Sequence, residues 1–100
     1  MQIKITAFAK KRLDEIDDYY RGEGYARLGK KLRKAIVVKT KLLAKNPQMG
    51  QIEEYLLNLN QDHRYLVVES KYKLIYLVKE RIIYITDIFD TRQNPDKIRG

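Results

Sequence analysis

Apolar residues recur along this chain in two rhythms, and the change between them divides it in half. Gln2 to Ile5 alternates polar and apolar residues, the period of a short strand. From Phe8 the spacing lengthens. Phe8, Leu13, Ile16 and Tyr20 fall near one stripe, which predicts an amphipathic helix over about Ala7 to Tyr20. Thr6 is a good N-cap for it, and Gly22 and Gly24 end it. A second helix is expected from about Tyr25 to Ala44, with Leu28, Leu32, Ala35, Ile36 and Leu43 on its inner face. Asn46-Pro47 stops it, because proline cannot continue a helix and restricts the residue before it. Two helices joined by a short glycine-containing loop form an antiparallel hairpin.

Beyond residue 60 the period is two. Arg64–Glu69, Tyr72–Lys79 and Ile82–Phe89 read as strands. The connectors, Ser70-Lys71 and Glu80-Arg81, are short enough to force antiparallel pairing. In Tyr72–Lys79 one face carries Tyr72, Leu74, Tyr76 and Val78, and the other carries Lys73, Ile75, Leu77 and Lys79. Both faces are largely apolar, as expected of a central strand. Gln48 to Gln51 is a turn-rich connector. Ile52 to Leu59 fits a helical turn or a weak strand equally well. Asp96 to Gly100 reads as a tail or a last helical turn. The order strand, helix, helix, three strands predicts an α+β fold: a helical hairpin packed on a small antiparallel sheet, in one domain over residues 1–100.

Composition narrows the chemistry. The chain has no cysteine, so disulfides, thiolate nucleophiles and thiolate metal sites are out. No His/Asp/Glu cluster has metal-ligand spacing, the five glycines form no phosphate-cradling loop, and no cofactor is expected. Charged residues interrupt every apolar stretch well short of the ~20 residues that cross a membrane. The start, MQIKITAF, is too short in apolar residues for a secretion signal, so a cytoplasmic location is expected. The net charge of +8 lies wholly in the first half: residues 1–50 hold 13 Lys and Arg against 5 Asp and Glu, whereas residues 51–100 hold 8 of each. Arg27 to Lys45 alone contains eight cations and no anion. Such a run is either a solvated helix face or a surface attracted to nucleic acid or an acidic protein.

Candidate functional residues sit in the second half. Arg64 opens a strand, Lys73 lies one residue into the next, Arg81 lies in a hairpin and Arg92 follows the last strand. If they converge on one face they can hold phosphates through charge-assisted bonds, or stabilise the charge that develops in phosphodiester cleavage without a metal. The structural alternative is that Arg64 and Arg92 pair with Glu69, Asp87 or Asp90 and fix the sheet end. His63, the only histidine, could serve as a general base, but a lone histidine at a strand start is more often a surface or packing residue. Of the eight tyrosines, Tyr72, Tyr76 and Tyr84 read as core or rim residues rather than base-stacking platforms.

The element order, the connector Asn46-Pro47-Gln48-Met49-Gly50, the segment HRYLVVESKYKLIYLV and the ending ITDIFDTRQNP together resemble the RelE/ParE superfamily of type II toxin–antitoxin toxins. The resemblance covers nearly the whole chain. It implies a growth-inhibiting, plasmid-stabilising type of toxin, held in a heteromeric complex by a co-encoded antitoxin, expected to be acidic and DNA-binding. RelE-like members cut mRNA on the ribosome without a metal, using basic residues on the sheet and often a Tyr or His near the C-terminus. ParE-like members poison DNA gyrase, and a basic binding module without toxicity is the third reading. By this resemblance Arg64, Lys73 and Arg92 are the positions that bind nucleic acid or the target. With Arg81 they are the catalytic candidates if the chain is an endoribonuclease. Two departures favour the ParE branch. No Tyr or His follows Arg92, only QNPDKIRG, and position 73 carries Lys where arginine is usual, without bidentate phosphate geometry.

Overall fold

The computed structural model describes residues 1–100. Its elements are β1 (Gln2–Ile5), α1 (Ala7–Gly22), α2 (Ala26–Lys45), β2 (Gln51–Ile52), a 3-10 turn at Glu54–Leu59, β3 (Arg64–Val68), β4 (Tyr72–Lys79), β5 (Ile82–Asp90) and a second 3-10 turn at Pro95–Lys97. The fold is α+β, with a five-stranded sheet in the order β1-β5-β4-β3-β2. β4 is its central strand, as its two apolar faces imply.

The sheet is larger than the periodicity suggests, and it is mixed. β1 pairs in parallel with β5, from Gln2 opposite Ile82 to Ile5 opposite Ile85. That pairing covers the outer edge of β5, which the β4–β5 hairpin leaves open. At the other edge, Gln51 and Ile52 leave the connector to pair with Tyr65 and Arg64. The ambiguous stretch after them resolves into the 3-10 turn, started by the Glu53 carboxylate, which accepts from Tyr55 N–H at 3.2 Å.

The helices form where the apolar stripe and caps place them. The Thr6 hydroxyl accepts from Ala9 N–H at 3.1 Å. Gly24, at φ 82°, turns the chain between the helices. Gly29 sits at their crossing: a Cβ there would stand 3.0 Å from Tyr20 Cβ and 3.3 Å from an Asp17 carboxylate oxygen, so a side chain would push its neighbours by a few tenths of an ångström.

A bulge in β5 sets the faces of the sheet. Tyr76 lies opposite Ile85 and Ile75 opposite Asp87, which leaves Thr86 as an extra residue. Ile85 and Ile88 are three apart and would face opposite ways in a regular strand. With the bulge, both join Ile83 in the core beneath the helices, against Leu13, Ile36 and Leu74. The opposite face is not bare. Leu56 from the 3-10 turn and Ile98 from the tail pack there on Ile75 and Phe89, with Tyr65 alongside. The tail thus forms a lid on the sheet.

The hairpin turns are tight. Lys71 N–H bonds to Val68 O at 3.1 Å, so the β3–β4 turn is Glu69-Ser70, one residue earlier than the sequence pattern suggests. Glu69 and Ser70 have φ of 53° and 57°, and Glu80 and Arg81 in the next turn have 52° and 64°. Left-handed backbone at both central residues is the type I′ signature, and it matches the strand twist.

Candidate functional site

The four cations do not converge. Arg64 projects from β3 on the helix side of the sheet, opposite Tyr76. Its guanidinium donates to Gly50 O at 2.7 Å and to Gln48 O at 3.4 Å. The hydroxyl of Tyr76, itself fully buried, accepts from Gly50 N–H at 2.8 Å and donates to Pro47 O at 3.0 Å. Burial pushes the Tyr76 phenol above its ordinary pKa, so it remains a donor at every physiological pH. Arg64, Tyr76 and the Pro47–Gly50 connector therefore form one interlock that ties the end of α2 to the sheet.

Lys73 lies on the opposite face. Its ammonium stands 2.9 Å from Oε2 of Glu53 and over the ring of Tyr65, 4.2 Å from the centroid, with the Tyr55 ring at 5.6 Å. Glu53 is only 1 % exposed. The pair closes the gap between the 3-10 turn and β4, and the lysine charge is answered within the protein.

Arg92 lies just beyond β5. Its guanidinium grips Asp90 in bidentate fashion, at 3.0 Å and 2.7 Å, and holds that carboxylate below its usual pKa. Arg92 borders a cleft of about 380 Å³ between α1 and the sheet end, with Arg12, Glu15, Tyr19, Tyr72 and Asp90 on its walls. Burial, followed by contact with Tyr20, raises the Tyr72 phenol well above its usual pKa. Arg81 occupies the β4–β5 turn, at the far end of β5 from Arg92, roughly 26 Å of strand away. The structural alternative thus holds for Arg92, which pairs with Asp90. Arg64 is also tied into the fold, through backbone carbonyls rather than a carboxylate.

His63 is a packing residue. It is 1 % exposed, neither ring nitrogen has a hydrogen-bond partner, and burial lowers its pKa. Gly100 presses on the ring so closely that a Cβ there would stand 2.7 Å from Nε2.

Periodicity gave no sign of a second polar cluster, where β1 ends and the β5 bulge begins. Asp87 is fully buried, 3.4 Å from Arg12 Nε, and it accepts from Arg99 N–H at 2.9 Å. Burial raises its pKa despite these partners. The guanidiniums of Arg12 and Arg99 lie 4.8 and 4.7 Å from the Phe8 ring centroid. This cluster pins the tail to α1. The only sequence signal for it was an aspartate inside an otherwise apolar strand. No group of His, Cys, Asp and Glu side chains is arranged to hold a metal ion, and no helix is long and apolar enough to cross a membrane.

The family model for the ParE toxin of the type II toxin–antitoxin system parDE matches residues 3–95, from β1 into the second 3-10 turn. This chain belongs to the ParE toxin family. Among solved structures it is similar to a chain of the chromosomal ParDE TA system from P. aeruginosa, with a TM-score of 0.75 and 27% identity over 90% of this chain and 95% of that one. A comparison with curated protein sequences finds no match. The ParE match takes in Arg64, Lys73, Arg81 and Arg92, and also the Pro47–Gly50 connector that Arg64 and Tyr76 hold.

Proposed function

We propose that this ParE-family chain arrests growth by binding DNA gyrase and that a co-encoded antitoxin neutralises it. The observation that carries the preference for binding over RNA cleavage is the state of the sheet face opposite the helices. There Lys73 is bonded to Glu53 beneath two tyrosine rings, and Leu56 and Ile98 cover Ile75 and Phe89. A metal-independent nuclease would need free cations and a proton-transfer group on that face. Here the lysine is neutralised, Arg64 points to the other side, and the only histidine is buried without access to substrate.

The antitoxin reading draws support from the ParDE complex to which the chain is similar. It also draws on the helical side of the molecule. A groove of about 200 Å³ between α2 and β1 is lined by Ile3, Ile5, Val37 and Ile85 and bordered by Lys41. An acidic amphipathic segment would meet an apolar floor with Lys41 at its edge, and charge complementarity would speed its encounter.

The test has two arms. Purified protein added to gyrase, plasmid and ATP should cause cleaved plasmid to accumulate, and mRNA from induced cells should remain intact in primer extension. Codon-spaced cuts in translated mRNA, with gyrase unaffected, would establish the ribosome-dependent endonuclease instead.

A further inference from the structure

The outward face of α2 carries charge that nothing in the protein answers. Arg27, Lys30, Lys31, Lys34, Lys41 and Lys45 are all exposed, and none has a carboxylate within ion-pair distance. Glu69 borders Lys31 and Lys34 without pairing with either. Of the other two cations on the helix, Arg33 is tied to Asp14 at 2.9 Å, and Lys39 lies half-buried at the flank.

The arrangement is linear. At 3.6 residues per turn, Arg27, Lys34 and Lys41 advance by almost whole turns and align along the axis. Lys45, five whole turns from Arg27, closes the same line, and Lys30 and Lys31 flank it, in a stripe about 27 Å long. Like charges three and four residues apart destabilise a helix, and cations in its first turns oppose the macrodipole. The helix bears these costs with no acidic residue in its first turn to offset them.

We propose that this stripe binds the phosphate backbone of duplex DNA, without reading sequence. The choice of nucleic acid over an acidic protein rests on what lies between the cations. A protein interface needs an apolar, desolvated centre. Among its cations the stripe exposes only Val38 and Leu42, one turn apart, whereas the apolar groove of α2 that could serve a protein partner, lined by Val37, lies to its side, facing β1. Phosphate contacts need charge and little else. A duplex presents about 16 charges along 27 Å of axis, spread around both strands, so a straight cationic stripe meets the part of them that crosses its line. This inference does not depend on the identity of the toxin's target, because the chain would bind DNA alone.

The test is fluorescence anisotropy of a labelled duplex of arbitrary sequence with the purified chain, titrated between about 50 and about 200 mM salt. Binding should weaken with salt, with a log–log slope of about −4 if four or five phosphates are engaged. The triple variant Lys30→Gln, Lys34→Gln, Lys45→Gln should bind at least tenfold more weakly at the lower salt, and its slope should be shallower by about 2.7. A control triple off the stripe, Lys4→Gln, Lys79→Gln, Arg81→Gln, should keep the parent slope. Circular dichroism confirms that both variants are folded. Three results would overturn the proposal: no salt-dependent binding by the parent, equal slopes for the two triples, or polyglutamate competing as well as duplex at equal charge.

Discussion

Lys73 Nζ stands 2.9 Å from Oε2 of Glu53, a carboxylate almost wholly removed from water. The contact joins two elements twenty residues apart and covers the centre of the sheet face that a nuclease would leave open.

Breaking such a pair strands a buried charge. Lys73→Ala should therefore destabilise the protein by about 2–3 kcal/mol, somewhat below the range for fully buried pairs because the lysine retains partial solvent contact. The double variant Lys73→Met, Glu53→Gln should recover most of that loss, since no charge is then left behind. Urea denaturation of the three proteins measures it. A Lys73→Ala variant as stable as the parent would show that the pair contributes nothing.

The Tyr76 hydroxyl holds the connector after α2 through Gly50 and Pro47. Tyr76→Phe should cost about 1–3 kcal/mol by leaving a buried N–H without its acceptor. Gly50→Ala should cost more, because the new Cβ would lie 2.5 Å from the Tyr76 oxygen and 2.8 Å from Tyr65 O. The two effects should be non-additive in a double-mutant cycle, as residues in contact usually are. Strict additivity would break the proposed interlock.

His63 makes stability depend on pH. Burial puts its folded-state pKa below the 6.5 of the unfolded chain, so the unfolded chain takes up the proton first as pH falls. Its contribution is intact above pH 6.5 and declines below that value until the folded-state pKa is reached. Thermal melts at pH 8 and pH 5.5 should show a drop in Tm for the parent that is clearly smaller in His63→Leu. An equal drop in both would assign the effect to other groups.

The two hairpin turns place Glu69, Ser70, Glu80 and Arg81 in left-handed backbone, which Asn and Gly adopt at much lower cost. Replacing Glu69-Ser70 by Asn-Gly should raise stability by about 1 kcal/mol. The same exchange at Glu80-Arg81 should do likewise without touching the core. Chemical denaturation curves with unchanged slope and a higher midpoint are the expected result.

Much of this molecule is determined locally and was legible as such. The caps at Thr6 and Asn46-Pro47, the stripe through Leu13, Ile16, Leu32 and Ile36, and the alternation across Tyr72–Lys79 depend on residues near one another in the chain, so their periods and breakers mark the elements directly. The parallel pairing of β1 with β5 was not legible, because a strand's pattern names its faces and never its neighbour. Nor was the bulge at Thr86, which puts Ile85 and Ile88 on one face. The cation set shows the same division. Sequence placed Arg64, Lys73, Arg81 and Arg92 in strands and turns. The Arg92–Asp90 pair, two residues apart, was within reach of the sequence, whereas only the register and the two covered faces decided that Arg64 bonds to the connector and Lys73 to Glu53, with Arg81 alone at the far end. Charge partners are set by through-space distance, and a chain folded back on itself brings together carboxylates and carbonyls that no linear spacing reveals. The cations of α2 stand between: their alignment follows from the helical repeat alone, and the tertiary structure decided that Arg33 pairs with Asp14, that Lys39 is half-buried and that the other six are uncovered.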